Sequence, residues 1–177
     1  MPATSRFQKR RVVGLIRMHV RDAQISEVGR LATIWYDGWQ DAHARILPLE
    51  LARLRTLESF DERLRVALAS VRVVGPADAP LGFCMLRGAE LYQLYVSSQA
   101  RGFGVASALI VDAEARLGDS GVDKAWLACA IGNERAARFY EKCGWHRAGT
   151  VIEHLEVANG TFPLEVWRYE KYLRRAE

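Results

Sequence analysis

Two stretches of the sequence place chemistry-bearing residues at short, regular spacing. The first is Arg101-Gly102-Phe103-Gly104-Val105-Ala106, with Ser107 next, set between an apolar run and an amphipathic one. Glycines let a backbone approach a ligand closely and adopt positive φ. The first N–H groups of a helix starting here lack internal partners and stand at the positive end of its dipole. Together they make an anion site that suits a pyrophosphate, and Arg101 adds a planar fork of donors. Two other readings stay open: Gly102-x-Gly104-x-x-Ser107 nearly fits a dinucleotide fingerprint, although that motif belongs after the first strand of a parallel sheet. A glycine turn also closes strand–helix corners with no ligand at all. The second stretch, Asn133 to Trp145, reads as a short helix with Asn133 as its N-cap and Gly144 as its stop. Ala136 and Ala137 leave room for close packing against it, and Tyr140 is either a packed aromatic or a hydroxyl donor.

The elements that must position these residues follow from hydrophobic period. Gly14 to Val20 reads as a strand. After Asp22, the residues Ile25, Val28, Leu31, Ile34 and Trp35 recur at helical spacing. A second helix is expected over about Leu49 to Leu57, and the capping-box spacing of Ser59 and Glu62 predicts another running to about Ala69. Val71–Val74, Leu81–Leu86 and Glu90–Val96 form three short β-type runs joined by turn chemistry, an antiparallel meander. A helix over about Val105–Leu117, a strand over Lys124–Ala130 and a helix over Glu134–Cys143 then give locally parallel pairing. Two strands between about Arg147 and Tyr172 turn near Ala158-Asn159-Gly160. The pattern predicts a single mixed α/β domain over residues 1–177, with Met1 to Arg11 a flexible basic arm.

Composition narrows the function classes. Of 25 basic residues only Lys9, Lys124, Lys142 and Lys171 are lysine, and the net charge is +4. The arginines are scattered, so they give no nucleic-acid stripe; they suit a phosphate-bearing ligand or a plain solvated surface. No run of about 18 apolar residues is present, which argues against a membrane-spanning helix, and the opening residues lack the apolar core of a secretory signal. Cys84, Cys129 and Cys143 are odd in number and widely spaced, so neither a disulfide framework nor a metal site is expected, and a reducing cytoplasm is the natural setting.

LYQLYVSSQARGFGVASALI together with NERAARFYEKCGW resembles the GNAT acyltransferase superfamily. Its R/Q-x-x-G-x-G/A signature is matched over Arg101 to Ala106, and its N-x-x-A-x-x-x-Y-x-x-x-G-F/W pattern by Asn133, Ala136, Tyr140, Gly144 and Trp145. The resemblance implies a mostly antiparallel central sheet, splayed at the cofactor strand and flanked by helices, that uses acetyl-CoA. It implies that Leu94, Tyr95 and Val96 pair with the pantetheine arm. The turn from Gly102 through Phe103, Gly104, Val105 and Ala106 would hold the pyrophosphate, with the Ser107 hydroxyl close by. Asn133 and Ala137 would meet the arm, and Tyr140 would protonate the leaving thiolate. Attack by the neutral amine is then direct, in a ternary complex, without a cysteine nucleophile.

The same resemblance places Trp35, Tyr36, Trp39, Asp41 and His43 on the acceptor side, where they would suit a cationic amine; Trp35 and Trp39 are equally well one face packed into the core. Glu90 is a candidate base, although its position at a strand start favours a solvated edge. Glu165, His154 and His43 are reserves, and Gln93 cannot serve. The implied acceptor is a small-molecule amine. Alternatives are a protein N-terminus, a lysine, aminoacyl-tRNA, or no acceptor at all in a regulatory acyl-CoA binder. A nicotinamide-dependent oxidoreductase is the remaining alternative, and the oligomeric state is open between monomer and homodimer.

Overall fold

A computed structural model of the chain describes residues 18–173. The expected basic arm, and residues 14–17 of the expected first strand, lie outside the described residues. The chain runs β1 (Val20–Asp22), α1 (Val28–His43), α2 (Leu49–Leu54), α3 (Leu57–Ala67), β2 (Val71–Val74), β3 (Gly82–Arg87), β4 (Glu90–Val96), α4 (Val105–Asp119), β5 (Lys124–Ala130), α5 (Glu134–Lys142), β6 (His146–Val157) and β7 (Gly160–Tyr172). The strands form one mixed sheet in the order β1-β2-β3-β4-β5-β7-β6. Every neighbouring pair is antiparallel except β4 and β5, which are parallel.

Helices cover both faces. On one, Leu109, Ile110, Ala113 and Leu117 of α4 and Ala137 of α5 pack on Cys84, Leu91 and Leu127. On the other, Leu31 and Trp35 of α1 and Phe60 and Leu64 of α3 pack on Val71, Val73 and Phe83. The ladder between β3 and β4 slips between Met85 and Leu86, where Met85 faces Gln93 and Leu86 faces Leu91. Tyr92 is therefore the extra residue of a β-bulge, a device that re-aims side chains. Tyr92 and Tyr95 both join the α1 and α3 face, while Leu91, Leu94 and Val96 join the other.

Helix α3 begins earlier than the Ser59 capping box predicts. Thr56 is the cap: its hydroxyl accepts the Ser59 N–H at 3.2 Å, and Ser59 turns its own hydroxyl back to the Thr56 carbonyl at 2.8 Å. Helix α2 is correspondingly short, and the chain turns at Arg55, whose φ of −95° and ψ of 67° leave the helical region.

The start of α1 is clamped to β1 by a buried ion pair. Glu27, with no exposed side-chain surface, accepts from Arg21 Nη2 at 2.6 Å and Nη1 at 2.8 Å, and from the Gln24 N–H at 2.9 Å. Burial works to raise its pKa, but the Arg21 and Gln24 hydrogen bonds outweigh it and leave the carboxyl below its ordinary value. Breaking such a pair from one side strands the other charge. Arg21→Met is expected to lower stability by about 3–5 kcal/mol, read as a shift of the urea midpoint at unchanged slope. In the wild type the contribution of this pair is present above the ordinary carboxylate range and is lost as pH falls through the depressed Glu27 value.

Candidate active site

A parallel pair that separates inside the sheet makes the cavity. β4 and β5 meet at one register pair, Glu90 opposite Trp126, with the Trp126 N–H donating to the Ala89 carbonyl at 3.1 Å. β5 is then drawn along β7 through a full ladder from Lys124 to Ala130. On the other side of β4, the Ser97 N–H reaches the Leu81 carbonyl at 2.8 Å, and Tyr95 and Gln93 face Phe83 and Met85. Because hydrogen-bonded pairs alternate along an antiparallel ladder, the peptide groups of Leu94 and Val96 turn toward β5. A cavity of about 590 Å³ occupies the gap.

The glycine turn closes one end. Gly102 and Gly104 hold φ of +79° and +86°, a left-handed backbone that side chains rarely adopt, and a Cβ on either would project into open space. Gly104 caps α4, whose first bond runs from the Ala108 N–H to the Gly104 carbonyl at 3.0 Å. The N–H groups of Val105, Ala106 and Ser107 precede it and lie beside the cavity. Arg101 Nη1 and Arg135 Nη2 both donate to one oxygen of Asp41, at 2.8 and 2.9 Å. Asp41 is held below the usual carboxylate range by Arg135 first and Arg101 second. These donors form an anion cradle that fits a diphosphate.

On α5, Asn133 spends its side-chain oxygen on the cap, accepting the Ala136 N–H at 3.3 Å. Tyr140 is held by rings of Phe139, Tyr169 and Trp145 at centroid distances of 5.5, 6.1 and 6.5 Å. Trp145 is itself fixed by Nε1 donating to Glu114 at 2.8 Å. Burial pushes the Tyr140 phenol well above the ordinary tyrosine value, so it carries its proton at any working pH. Burial likewise pushes the Cys84 and Cys129 thiols up to about 12, so neither is a thiolate near neutrality.

The other end corrects several expectations. Glu90 is not a solvated edge residue: it is 4 % exposed, pairs with Arg87 at 3.1 Å, and burial raises its pKa to about 7 against the opposing Arg87 charge. Trp35 and Trp39 are 1 % and 5 % exposed; they belong to the core and also present an edge to the cavity. Asp41 is itself not part of the cavity wall and is committed to two arginines that are, so it does not offer charge to a cationic acceptor. Tyr36 packs on Phe60, and Glu165 stands exposed on β7 outside the cavity. His43 lines the cavity with its Nδ1 unpartnered among the described residues, and burial lowers its pKa to about 4, so it is neutral.

Leu94, Tyr95, Val96, Arg101, Gly102, Gly104, Val105, Ala106, Ser107, Asn133, Tyr140 and His154 line the cavity as well. Phe103 and Ala137 do not. Ala137 is 1 % exposed beneath α5, and its neighbour Ala136 faces the gap instead.

The chain matches the model of the acetyltransferase (GNAT) family over residues 30–145, well over half its length. It belongs to the GNAT family. Uncharacterised N-acetyltransferases of Mycobacterium tuberculosis and Mycobacterium bovis are 37% identical over 75 residues, 40% of this chain and 48% of theirs. The chain thus spans about half the length of the curated relatives it matches. A GCN5-related N-acetyltransferase from Rhodopseudomonas palustris is similar in fold with a TM-score of 0.69, at 20% identity over 88% of this chain and 95% of that one. The PaiA N-acetyltransferase from Thermoplasma acidophilum, in complex with coenzyme A, has a TM-score of 0.59 at 17% identity over 87% and 98%. YncA of Salmonella typhimurium, with its cofactor acetyl-CoA, has 0.61 at 13% identity over 91% and 96%. At such identities these likenesses speak for the fold.

Within this GNAT chain, sequence reasoning missed Arg55, Arg63, Arg87, Glu153 and Glu156, which line the end opposite the glycine turn. No motif marks them. Glu90 makes the site sensitive to pH. Burial disfavours its charged form, so its contribution to stability is greatest below the ordinary carboxylate pKa and is lost as pH rises through about 7. Glu90→Gln is expected to flatten that decline and to gain on the order of 2 kcal/mol over the wild type at pH 8, measured by urea unfolding at pH 5 and pH 8.

Proposed function

We propose that the chain is an acetyl-CoA-dependent N-acetyltransferase that passes the acetyl group directly to a primary amine. The observation that carries this reading is one gap holding both an anion cradle and a half-buried, protonated Tyr140. Coenzyme A, bound as its acetyl thioester, supplies a carbon electrophile and a thiolate leaving group. The amides of Gly102 to Ser107 and the Arg101 guanidinium would hold its diphosphate. The exposed peptide groups of Leu94 and Val96 would pair with the amides of its arm as an added strand, beside Tyr95 and Asn133.

Glu90 is the base in this reading. Its carboxylate accepts a proton from the attacking amine while the new C–N bond forms and the C–S bond breaks. The Tyr140 hydroxyl gives its proton to the departing sulfur and is reprotonated through solvent. A base with a pKa of about 7 is well matched to this task near neutral pH. His43, neutral but with a pKa of about 4, is a far weaker base and falls to a wall residue.

Calorimetric titration with acetyl-CoA, with NAD as the control ligand, tests the reading directly: binding of acetyl-CoA alone is expected, and NAD binding in its place would overturn it. Tyr140→Phe is expected to lower kcat by about 10²- to 10⁴-fold while acetyl-CoA affinity changes little, in a thiol-release assay. The wild-type rate should rise with pH through about 7, as Glu90 loses its proton. A rising limb that persists unchanged in Glu90→Gln would assign the base elsewhere.

A further inference from the structure

The end of the cavity away from the glycine turn holds two guanidinium groups with no carboxylate partner among the described residues. Arg55, at the turn between α2 and α3, is 5 % exposed and faces the cavity. Its side chain donates from Nη1 to the Glu156 carbonyl at 2.7 Å, a neutral acceptor. Arg63, on α3, lies over the Trp35 ring at 4.4 Å and donates from Nη2 to the Tyr92 hydroxyl at 2.6 Å. The acids nearby are engaged with a third arginine: Arg87 pairs with Glu90 at 3.1 Å and with Glu156 at 3.4 Å. Glu153 also lines the cavity, from β6, and forms no ion pair within 4 Å among the described residues.

Burial of an arginine without a counter-charge is costly, and here a second cation stands close by. Burial first, and the Arg63 charge second, lower the Arg55 pKa to about 10. Two elements and a bulge cooperate to build the arrangement, because Tyr92 reaches Arg63 through its place as the extra residue of β4. Along the strand, Tyr92 lies roughly 13 Å from Val96, the end of β4 that leads into the glycine turn. This spacing separates the pair from the diphosphate cradle.

We propose that Arg55 and Arg63 bind an oxyanion carried by the acceptor itself, so that the substrate is a small amine bearing a carboxylate or a phosphate. The inference rests on the acetyltransferase reading above and narrows its acceptor. It departs from the cationic acceptor that the aromatic cluster of α1 suggests in the sequence. The planar fork of arginine suits both oxyanions, and the Trp35 face under Arg63 fixes the angle of one fork.

The test compares kcat/KM for ethylamine, β-alanine and O-phosphoethanolamine, which share a two-carbon amine and differ in the terminal group. One of the two anionic amines is expected to exceed ethylamine by about 10- to 100-fold, the range for hydrogen bonds to charged groups, and the leader identifies the oxyanion. Arg55→Met and Arg63→Gln should each remove most of that preference while acetyl-CoA affinity, measured by calorimetry, stays within about twofold of wild type. Arg63→Gln is the variant at a partly exposed position and keeps the test open where Arg55→Met fails to fold. Acetyl-CoA binding with equal kcat/KM for all three amines overturns this inference alone. Preference for an uncharged peptide N-terminus over both anionic amines does the same. Failure of the wild type to bind acetyl-CoA overturns the acetyltransferase reading, and the inference with it.

Discussion

A parallel strand pair that separates within a sheet leaves peptide groups on both inner edges, and buried peptide groups demand partners. Here β5 keeps its outer edge on β7 over its whole length, so past Glu90 the inner edges of β4 and β5 both face the gap, and it is the β4 edge that leads into the glycine turn. The rest of the site is arranged around that edge. The chain leaving β4 turns through two left-handed glycines into α4, which sets an amide cluster at the end of the exposed edge. Helix α5 follows β5 across the opening and brings Tyr140 to the other inner wall. Helix α1 is pressed against β4 so closely that a Cβ on Gly38 would come within 2.6 Å of the Tyr95 ring. The wall that meets the proposed acceptor and the strand that meets the proposed thioester are therefore in direct contact, and a shift of one moves the other.

The elements whose identity is set locally were legible in the sequence. β2, β4 and β5 begin and end at the residues their patterns mark, because turn chemistry on both sides fixes short strands. The glycine turn was legible for the same reason, since positive φ at Gly102 and Gly104 is a local demand. The cap of α3 was not, although it too is local. Thr56 and Ser59 compete for the role at three-residue spacing, and the Thr56 hydroxyl takes the Ser59 N–H itself, which puts Ser59 inside the first turn. Glu90 shows the limit of patterning: its burial follows from β4 meeting β5 at that one residue and from Arg87 folding over it across a tight turn. Arg55 lies further still beyond reach. Its partner Glu156 is 101 residues away in the chain, and nothing in the spacing of 25 basic residues says which one is taken inside.

Charged groups gather at the two ends of the cavity, with an uncharged middle between them. At the mouth, Asp41 holds Arg101 and Arg135 in place and cancels part of their charge, so an entering diphosphate competes with a carboxylate for donors already oriented. At the far end, Arg87 pairs with Glu90 and Glu156, which leaves Arg55 and Arg63 without an ion-pair partner among the described residues, although Glu153 lines the same end. Between them stand Tyr140 and His43, both uncharged near neutral pH.

This division bears on the hardest requirement of amine acetylation, which is a free lone pair on nitrogen. An alkyl amine in water, with a pKa of about 10.4, is almost wholly ammonium at pH 7. Removing it from water disfavours the charged form, and nearby cations disfavour it further. An acceptor anchored by an oxyanion on Arg55 and Arg63 would bring its nitrogen out of bulk water, beside these two cations and with Glu90 as the proton acceptor. The contact that selects the substrate would then also help to deprotonate it. Carboxylates in place of these two arginines would bind an ammonium more tightly and hold it in the unreactive state. The two arginines thus fit the chemistry of the step as well as the identity of the acceptor.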